Sequence, residues 1–340
     1  MPLTIKVYQG KPPLMKYHVY GIGNALVDME FSVSDDFLAE NNIEKGLMTL
    51  IEEDKQQQLS DDLIKKFGLK KRAGGGSAAN TIVAISQLGG KTFYACKVAN
   101  DEGGNFYMQD LHEAGVETKL DKVKGEGNTG KCMVMVTEDA ERTMNTFLGI
   151  TSDFCETDLH LEQLKSSEYL YIEGYLVTSD CSRNAAIAAR KIAVKNGVKT
   201  AFTFSDPAMV TYFKDGVTEI IGEGVDVLFC NEEEAQTYTS TNNLDDAITA
   251  LEKIAKKIIV TQGKEGATII SDGTRTSVKS KAVTAIDTNG AGDMFAGAFM
   301  YGLTQGYSDL DAGNLATQAA AKIVTTFGAR LKKEELQAML

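Results

Sequence analysis

Residues 287–303 read DTNGAGDMFAGAFMYGL, and the fold prediction starts from this stretch. Gly290 and Gly292 allow a tight turn, and the residues after them predict a helix of small and apolar side chains. A helix that begins at such a turn offers free backbone N–H groups, which stabilise an anion such as a transferring phosphoryl group.

Asp293 falls in the first turn of this predicted helix. We expect the helix dipole to keep it ionised, so that it accepts a proton from an attacking hydroxyl. The alternative is a plain turn followed by an acidic cap. Asp287, at the end of a strand-like stretch just upstream, favours a functional site.

Outside this stretch, short apolar runs alternate with helical patterns. The predicted strands are 18–23, 92–98, 169–172, 199–204, 225–230, 257–261 and 267–271. The predicted helices are 77–88, 104–114, 180–196, 232–238, 244–255, 291–304 and 309–325. Strands that are apolar throughout are typical of a sheet covered on both faces. The alternation therefore predicts an α/β fold with a doubly wound, mostly parallel sheet flanked by helices.

Two segments interrupt the alternation. Residues 26–50 appear extended, residues 129–148 predict two adjacent strands, and neither segment shows a partner helix. We expect them to pair as a small antiparallel sheet, a lid formed by about 26–50 and 119–148 over the carboxyl ends of the parallel strands. Residues 1–14 contain three of the four prolines and predict a flexible extension or tag, which leaves 15–340 as one domain.

The composition excludes several classes of protein. The chain has 340 residues, with Lys and Arg totalling 35 and Asp and Glu totalling 47, for a formal net charge of -12. This acidic balance argues against a nucleic-acid or anionic-membrane surface, and no apolar run reaches the roughly 18 residues of a transmembrane helix. We therefore expect neither a nucleic-acid partner nor a membrane partner.

The cysteines are odd in number and widely spaced, and no C-x-x-C pair occurs. They are Cys96, Cys132, Cys155, Cys181 and Cys230. We interpret them as reduced, buried thiols of a cytoplasmic protein, because neither a zinc ribbon nor a disulfide scaffold is indicated.

Three further motifs carry candidate chemistry. GGGSAAN (74–80) precedes an apolar helix, so its glycines let a ligand approach the backbone, unless it is only a flexible loop. NEEE (231–234) ends an apolar strand, where it suits water-mediated Mg²⁺ binding or is simply an acidic first helical turn. TQGKEGA (261–267) is either a plain hairpin or a loop along a nucleotide. GIGNAL (21–26) lacks the third glycine of a dinucleotide fingerprint.

Together, DTNGAGD, GGGSAAN, NEEE and VTQGKEGA resemble, in order and spacing, the motifs of the ribokinase-like (PfkB) family of carbohydrate and nucleoside kinases. Within that family, the sequence is most similar to adenosine kinases and their bacterial relatives. The residues that carry this similarity are GNALVD (23–28), TGKC (129–132), Arg142 and IDTNGAGD (286–293).

The resemblance implies roles for individual residues, with ATP and Mg²⁺ as cofactors. The catalytic set is Asp293 as the base, Gly290, Ala291 and Gly292 as the anion hole, and Arg142 on the γ-phosphate. The acceptor contacts are Asn24, Leu26, Asp28, Gly76, Ser77, Asn80, Met144 and Tyr175. The ATP contacts are Asn231, Thr261, Gly263, Gly266 and Asn314, with Asn231 and Glu234 organising Mg²⁺ through water. Asp287 and Asn289 fall where family members bind a monovalent cation, for which K⁺ is the candidate.

The implied activity is ATP-dependent phosphorylation of a primary hydroxyl of a nucleoside, adenosine first. A family sugar kinase acting on ribose, fructose or a keto-deoxy sugar acid is the alternative, because the chain departs from adenosine kinases around the acceptor. It has Ala25 where proline is usual, SAAN (77–80) where STQN is usual, and Tyr175 where phenylalanine is usual. A dehydrogenase and a non-catalytic binding protein are the other candidates.

The resemblance leaves the oligomeric state open between a monomer and a homodimer. An apolar face on the predicted lid, with Met133, Met135 and Phe147, would either pair with another subunit or pack on the substrate.

Overall fold

The computed structural model describes residues 16–122 and 124–340, so the extension predicted at 1–14 lies outside the described residues. Within those residues, no helix combines the length and the apolar character that crossing a membrane requires. The strands are β1 (Tyr17–Ile22), β2 (Leu26–Ser32), β3 (Met48–Leu50), β4 (Lys71–Gly75), β5 (Thr92–Ala95), β6 (Thr129–Val136), β7 (Arg142–Gly149), β8 (Ser167–Glu173), β9 (Lys199–Thr203), β10 (Val225–Asn231), β11 (Ala255–Thr261), β12 (Ala267–Ser271) and β13 (Thr274–Val278).

The helices alternate with these strands along most of the chain. They are α1 (Asp35–Glu40), α2 (Glu53–Phe67), α3 (Ser77–Gln87), α4 (Glu102–Glu113), α5 (Leu161–Lys165), α6 (Asp180–Lys195), α7 (Pro207–Tyr212), α8 (Lys214–Ile221), α9 (Glu232–Thr239), α10 (Leu244–Leu251), α11 (Ala291–Thr304), α12 (Asp309–Ile323) and α13 (Lys333–Gln337).

The main sheet has eight strands in the order β13-β12-β11-β10-β9-β8-β1-β5. The strands from β11 to β5 are parallel to their neighbours, and β12 and β13 pair antiparallel at one edge. Helices α3, α4, α11 and α12 cover one face, and α5 to α10 cover the other. Successive side chains of a strand point to opposite faces, so Val19 joins the first core and Tyr20 the second. The predicted doubly wound, mostly parallel α/β fold is confirmed.

Small residues in α11 bring it close to α3. A Cβ at Gly297 would lie 2.7 Å from the Ala84 Cβ and 2.8 Å from the Thr81 carbonyl oxygen, so only glycine allows this approach. The glycine and alanine spacing read from the sequence therefore has a packing role. It sets the first turn of α11, with Asp293, against the first turn of α3.

The second sheet has five strands in the order β3-β7-β6-β2-β4. The two interrupting segments do pair with each other, but the sheet is mixed: β2–β6 and β3–β7 are parallel, and β6–β7 and β2–β4 are antiparallel. The expected purely antiparallel sheet is wrong. Parallel pairing is possible because long connections that contain helices separate β2 from β6 and β3 from β7. Gly74 and Gly75 of the GGGSAAN motif also join this sheet, as part of β4.

The expectation that these segments lack partner helices is also wrong. Helices α1 and α2 cover the outer face of the second sheet, where Leu59 and Leu63 of α2 pack with Met133 and Met135 of β6. The sequence of α2, EDKQQQLSDDLIKKF, is mostly polar and hides its narrow apolar stripe. Met133 and Met135 are fully buried by this packing, so they neither contact a substrate nor offer a face to another subunit.

Two cysteines depart from the predicted reduced state. Cys155 and Cys181 form a disulfide with their Cα atoms 5.1 Å apart, whereas Cys96, Cys132 and Cys230 are free and buried as expected. The separation of 26 positions between the paired cysteines gave no spacing signal, because β8 and the turn before α6 bring the two together only in the folded chain.

Candidate active site

A cavity lies between the carboxyl ends of the main-sheet strands and the inner face of the second sheet. Strands β8, β9, β10 and β11 each end at it, with Glu173, Thr203, Asn231 and Thr261. This edge is where α/β folds bind their ligands. The predicted site residues that line it are Asn24, Leu26, Asp28, Gly76, Ser77, Asn80, Arg142, Met144, Tyr175, Asn231, Glu234, Thr261, Asn289, Gly290, Ala291, Gly292 and Asp293.

The start of α11 has the geometry expected of an anion site. Gly290 caps the helix with φ 73°, and a Cβ there would lie 2.6 Å from the Ala329 Cβ, so the turn requires glycine. At Gly292, by contrast, a Cβ would meet no protein atom within 4 Å. The backbone at this turn therefore faces open space in the cavity, which is what a ligand approaching the N–H groups needs.

Asp287 fixes the turn from behind. Its Oδ1 accepts a hydrogen bond from the Asn289 N–H at 2.8 Å, and its Oδ2 accepts one from the Gly328 N–H at 2.8 Å. The Lys71 ammonium donates to the Phe327 carbonyl oxygen at 3.1 Å and supplies positive charge beside the same loop. These contacts give Asp287 a structural role, and no step below depends on a monovalent cation there.

Asp293 lies at the meeting point of α11 and α3. The Ser77 hydroxyl donates to its Oδ1 at 2.6 Å, and the Asn80 amide donates to its Oδ2 at 3.0 Å. Burial raises the pKa of Asp293, and these two hydrogen bonds oppose that effect. The sequence predicts an ionised Asp293 from the helix dipole alone. The structure adds two side-chain donors, Ser77 and Asn80, that also favour its carboxylate form.

The polar end of the cavity is formed by Asp28 and the backbone around it. Asp28 is 6% exposed, and a Cβ at Gly75 would overlap its carboxylate, so the glycines of GGGSAAN make room for this side chain. Burial, reinforced by Glu30, raises the pKa of Asp28 well above its usual range. Ligand hydroxyls that donate to Asp28 would favour its carboxylate form.

Glu173 is a cavity residue that sequence reasoning missed. Its two carboxyl oxygens accept hydrogen bonds from the backbone N–H groups of Asn24 at 2.6 Å and Ala78 at 2.7 Å, which ties together the two glycine-containing segments. Burial raises its pKa to about 8. Its position at the carboxyl end of a predicted strand was the available signal.

The second sheet supplies the apolar part of the cavity wall. The apolar side chains facing the cavity from this sheet are Leu26, Met48, Leu50, Cys132, Met144 and Leu148. Tyr175, from the main-sheet side, closes the wall, and its hydroxyl lies 3.3 Å from Asp206 Oδ2. Asp206 is a second residue that sequence reasoning missed.

Arg142 is the cationic residue of this wall. It begins β7, lines the cavity, and lies within electrostatic range of Asp293. Burial lowers the pKa of Arg142, but electrostatic interactions with Tyr175 and Asp293 outweigh this effect, so that the pKa is raised. The second sheet therefore brings one positive charge to the part of the cavity that holds Asp293.

Asn231 and Glu234 form a capping box at the start of α9. Asn231 Oδ1 accepts from the Glu234 N–H at 2.7 Å, and Glu234 Oε2 accepts from the Asn231 N–H at 2.9 Å. The cap leaves the other Glu234 carboxyl oxygen uncommitted, and burial raises the pKa of Glu234 to about 7. One free oxygen suits a hydrated cation better than direct ligation, and the described residues contain no cluster of three or more metal-ligating side chains.

Three of the predicted ATP contacts lie away from the cavity lining. Gly263 and Gly266, with φ 55° and 103°, form the turn that joins the antiparallel strands β11 and β12, and Asn314 is exposed on α12. This connection is a hairpin, which is one of the two interpretations of TQGKEGA. Near the start of the chain, the first element after Gly23 is strand β2 and not a helix. This arrangement excludes the dinucleotide-binding turn.

Comparison with known proteins gives a consistent result. Residues 46–336 match the pfkB family of carbohydrate kinases. The chain is 29% identical over 304 residues to an adenosine kinase of Saccharomyces cerevisiae, covering 84% of this chain and 88% of that protein. An adenosine kinase structure from Sinorhizobium meliloti is 34% identical, with a TM-score of 0.88 over 93% of this chain and 96% of that one. A probable sugar kinase from Rhizobium etli CFN 42 is 32% identical, with a TM-score of 0.90 over 96% of this chain and 98% of that one.

Proposed function

The chain belongs to the pfkB family of carbohydrate kinases, and we propose that it transfers the γ-phosphate of ATP to a primary hydroxyl of a nucleoside, with adenosine as the first acceptor. The family is one of phosphotransferases that act on an alcohol group. The observation that carries the proposal is the pairing of a partly buried carboxylate, Asp293, with an open helix start at Gly292 in one cavity.

Asp293 is proposed as the general base. As the acceptor hydroxyl attacks the γ-phosphorus, its proton passes to Asp293, a new oxygen–phosphorus bond forms, and the bond to the bridging oxygen breaks to release ADP. Ser77 and Asn80, which donate to the two oxygens of Asp293, hold the carboxylate in place for this transfer.

Charge on the transferred group is proposed to be met by the backbone N–H groups at the start of α11 and by Arg142. Because Gly292 faces open space, the helix start accepts the group without moving protein atoms. Mg²⁺ bound with ATP would neutralise phosphate charge. Glu234 would hold it through water, since one of its oxygens stays free of the capping box.

The nucleoside assignment rests on the apolar wall. Leu26, Met48 and Met144 of the second sheet, with Tyr175, would cover a flat base, whereas a free sugar offers little apolar surface to cover. Burying a purine there contributes several kcal/mol at about 25 cal/mol per Å² of apolar area, before ordering costs. Asp28, at the polar end, would accept hydrogen bonds from the ribose hydroxyls.

A family sugar kinase is the second candidate. It is favoured by the similarity to the Rhizobium etli sugar kinase, which is as high as that to the adenosine kinases. The discriminating experiment measures kcat/KM by ADP release for adenosine, 2′-deoxyadenosine, ribose and fructose on one preparation. We expect adenosine to be preferred. If ribose or fructose exceeds adenosine tenfold or more, the sugar-kinase alternative replaces the nucleoside proposal.

A further inference from the structure

Arg330 is a buried charged residue that no motif of the sequence singled out. It follows the turn at Gly328 and its side chain is 10% exposed, with an ion pair to Asp110 of α4. Its Nη2 atom is buried and has no hydrogen-bond partner among the described residues. Leaving a guanidinium donor unpaired costs free energy, which the other contacts of Arg330 must offset.

The Arg330 contact toward the cavity is directed at Asn80. Its Nε donates to Asn80 Oδ1 at 2.9 Å, and the amide nitrogen of Asn80 then donates to Asp293 Oδ2 at 3.0 Å. An amide can present either its oxygen or its nitrogen to a neighbour. Because Arg330 has only hydrogen-bond donors, it is compatible only with the arrangement in which the Asn80 oxygen faces Arg330 and the Asn80 nitrogen faces Asp293.

We propose that Arg330 is a positioning residue for phosphoryl transfer, which fixes the Asn80 amide so that it donates to Asp293. The inference rests on the proposed function, because it concerns the base of that reaction. In this arrangement Asp110 holds Arg330, Arg330 holds Asn80, and Asn80 holds Asp293. Arg330 touches neither the substrate nor the reacting atoms.

Without Arg330, the Asn80 amide is free to turn its oxygen toward Asp293. Two acceptors would then face each other, and the carboxylate would be displaced from the line of attack. A misplacement of about 1 Å in a reacting group costs roughly 10²-fold in rate. The loss should therefore appear in kcat, while the KM for ATP stays near the wild-type value, because the proposed nucleotide contacts at Asn231 and Thr261 lie elsewhere on the cavity wall.

The test is a double-mutant cycle of Arg330→Met, Asn80→Ala and the double variant, with kcat and both KM values measured. We expect Arg330→Met to lower kcat by about 10- to 100-fold. The double variant should be no slower than Asn80→Ala alone, because Arg330 acts through Asn80. Wild-type kcat in Arg330→Met, or losses that multiply in the double variant, would overturn the proposal.

Arg190→Met is the matched control. Arg190 is also buried, at 8% exposure, but it lies on α6 away from the cavity, so its loss should change the melting temperature without lowering kcat. If Arg330→Met does not fold, Arg330→Gln replaces it in the cycle, because a glutamine amide can present its oxygen to Asn80 and so no longer fixes the Asn80 amide. A kcat reduced at least about threefold, with no further loss on adding Asn80→Ala, supports the proposal, and a wild-type kcat rejects it.

A second readout separates this inference from the proposed function. The side-chain amide resonances of Asn80, assigned by their absence in Asn80→Ala, should shift in Arg330→Met and stay unchanged in Arg190→Met. Unchanged Asn80 resonances in Arg330→Met contradict the inference even if the wild type phosphorylates adenosine. A wild type that phosphorylates none of the four acceptors contradicts the proposed function, while the amide readout still tests Arg330.

Discussion

The wall of the cavity that carries Asp293 and the wall formed by the second sheet are held in different ways. In the first wall, Asp287 bonds two backbone N–H groups, Gly290 lies against Ala329, and Asp293 receives two side-chain hydrogen bonds. The second wall is mainly apolar, so we expect it to recognise a ligand by shape. Substitutions in the first wall should therefore change the rate of the chemistry, and substitutions in the second should change the choice of acceptor.

The largest effect is expected at Asp293, which is the proposed general base and lies in the first wall. Asp293→Asn keeps the shape of the side chain but removes the proton acceptor, so kcat should fall by roughly 10²- to 10⁴-fold, with little change in ATP affinity. Steady-state kinetics with titration calorimetry of ATP measures both. Asp272→Asn, in the exposed turn between β12 and β13, is the control. Near wild-type turnover in Asp293→Asn would remove this residue from the mechanism.

The two glycines of the anion site should respond differently to alanine. Gly292→Ala meets no protein atom and lies in a helix, so the protein should keep its stability or gain about 0.4–1 kcal/mol. The new methyl group would occupy the space proposed for the phosphoryl group, and we expect kcat to fall by about 10²-fold.

Gly290→Ala serves as the comparison, because it combines a positive φ with a collision at Ala329 and should lower the melting temperature. Melting curves and kcat are measured for both variants. Full activity in a stable Gly292→Ala protein would show that no ligand group occupies that space.

Arg142 is the residue through which we propose that the second wall contributes to the chemistry. Arg142→Ala removes a charged hydrogen-bond donor worth about 1.5–3 kcal/mol, so kcat should fall roughly 10- to 10²-fold and more than acceptor binding weakens. Arg275→Ala is the matched control, because it breaks a surface ion pair between Arg275 of β13 and Asp245 of α10. A rise in acceptor KM alone would make Arg142 a substrate-positioning residue.

The smallest effect is expected in the acceptor preference set by Asp28. A buried carboxylate without its partner hydroxyl costs about 1–3 kcal/mol, so 2′-deoxyadenosine should be a poorer substrate than adenosine. In Asp28→Ala, the ratio of kcat/KM for adenosine to kcat/KM for 2′-deoxyadenosine should fall by about tenfold, because the carboxylate that the deoxy substrate leaves unpaired has been removed. The ratio of kcat/KM for the two nucleosides checks this. An unchanged ratio places the ribose hydroxyls away from Asp28.

The comparison of the two walls also separates what the sequence could predict from what it could not. Gly290, Gly292 and Asp293 were predictable, because a glycine turn before a helix carries its chemistry within a few consecutive residues. The main sheet was predictable because its strands are short, apolar and separated by helices. Both signals are local in the sequence.

The missed features depend on contacts between distant segments. Arg330 meets Asn80 across 250 positions, and Glu173 reaches Asn24 across 149. Helix α2 was missed because most of its residues are polar, and strand β4 was missed because four of its five residues are glycine or basic. Periodicity and motif spacing contain no information on such pairings.

The proposed transfer is tested most directly by ³¹P NMR of the protein incubated with ATP, Mg²⁺ and adenosine, with Asp293→Asn run in parallel. We predict a phosphomonoester resonance that grows in step with ADP, assigned to the 5′-phosphate by its coupling to the two 5′ protons, and no such resonance from Asp293→Asn over the same time. A spectrum with ADP and inorganic phosphate only, or the same phosphomonoester from Asp293→Asn, would contradict base-assisted transfer to the nucleoside.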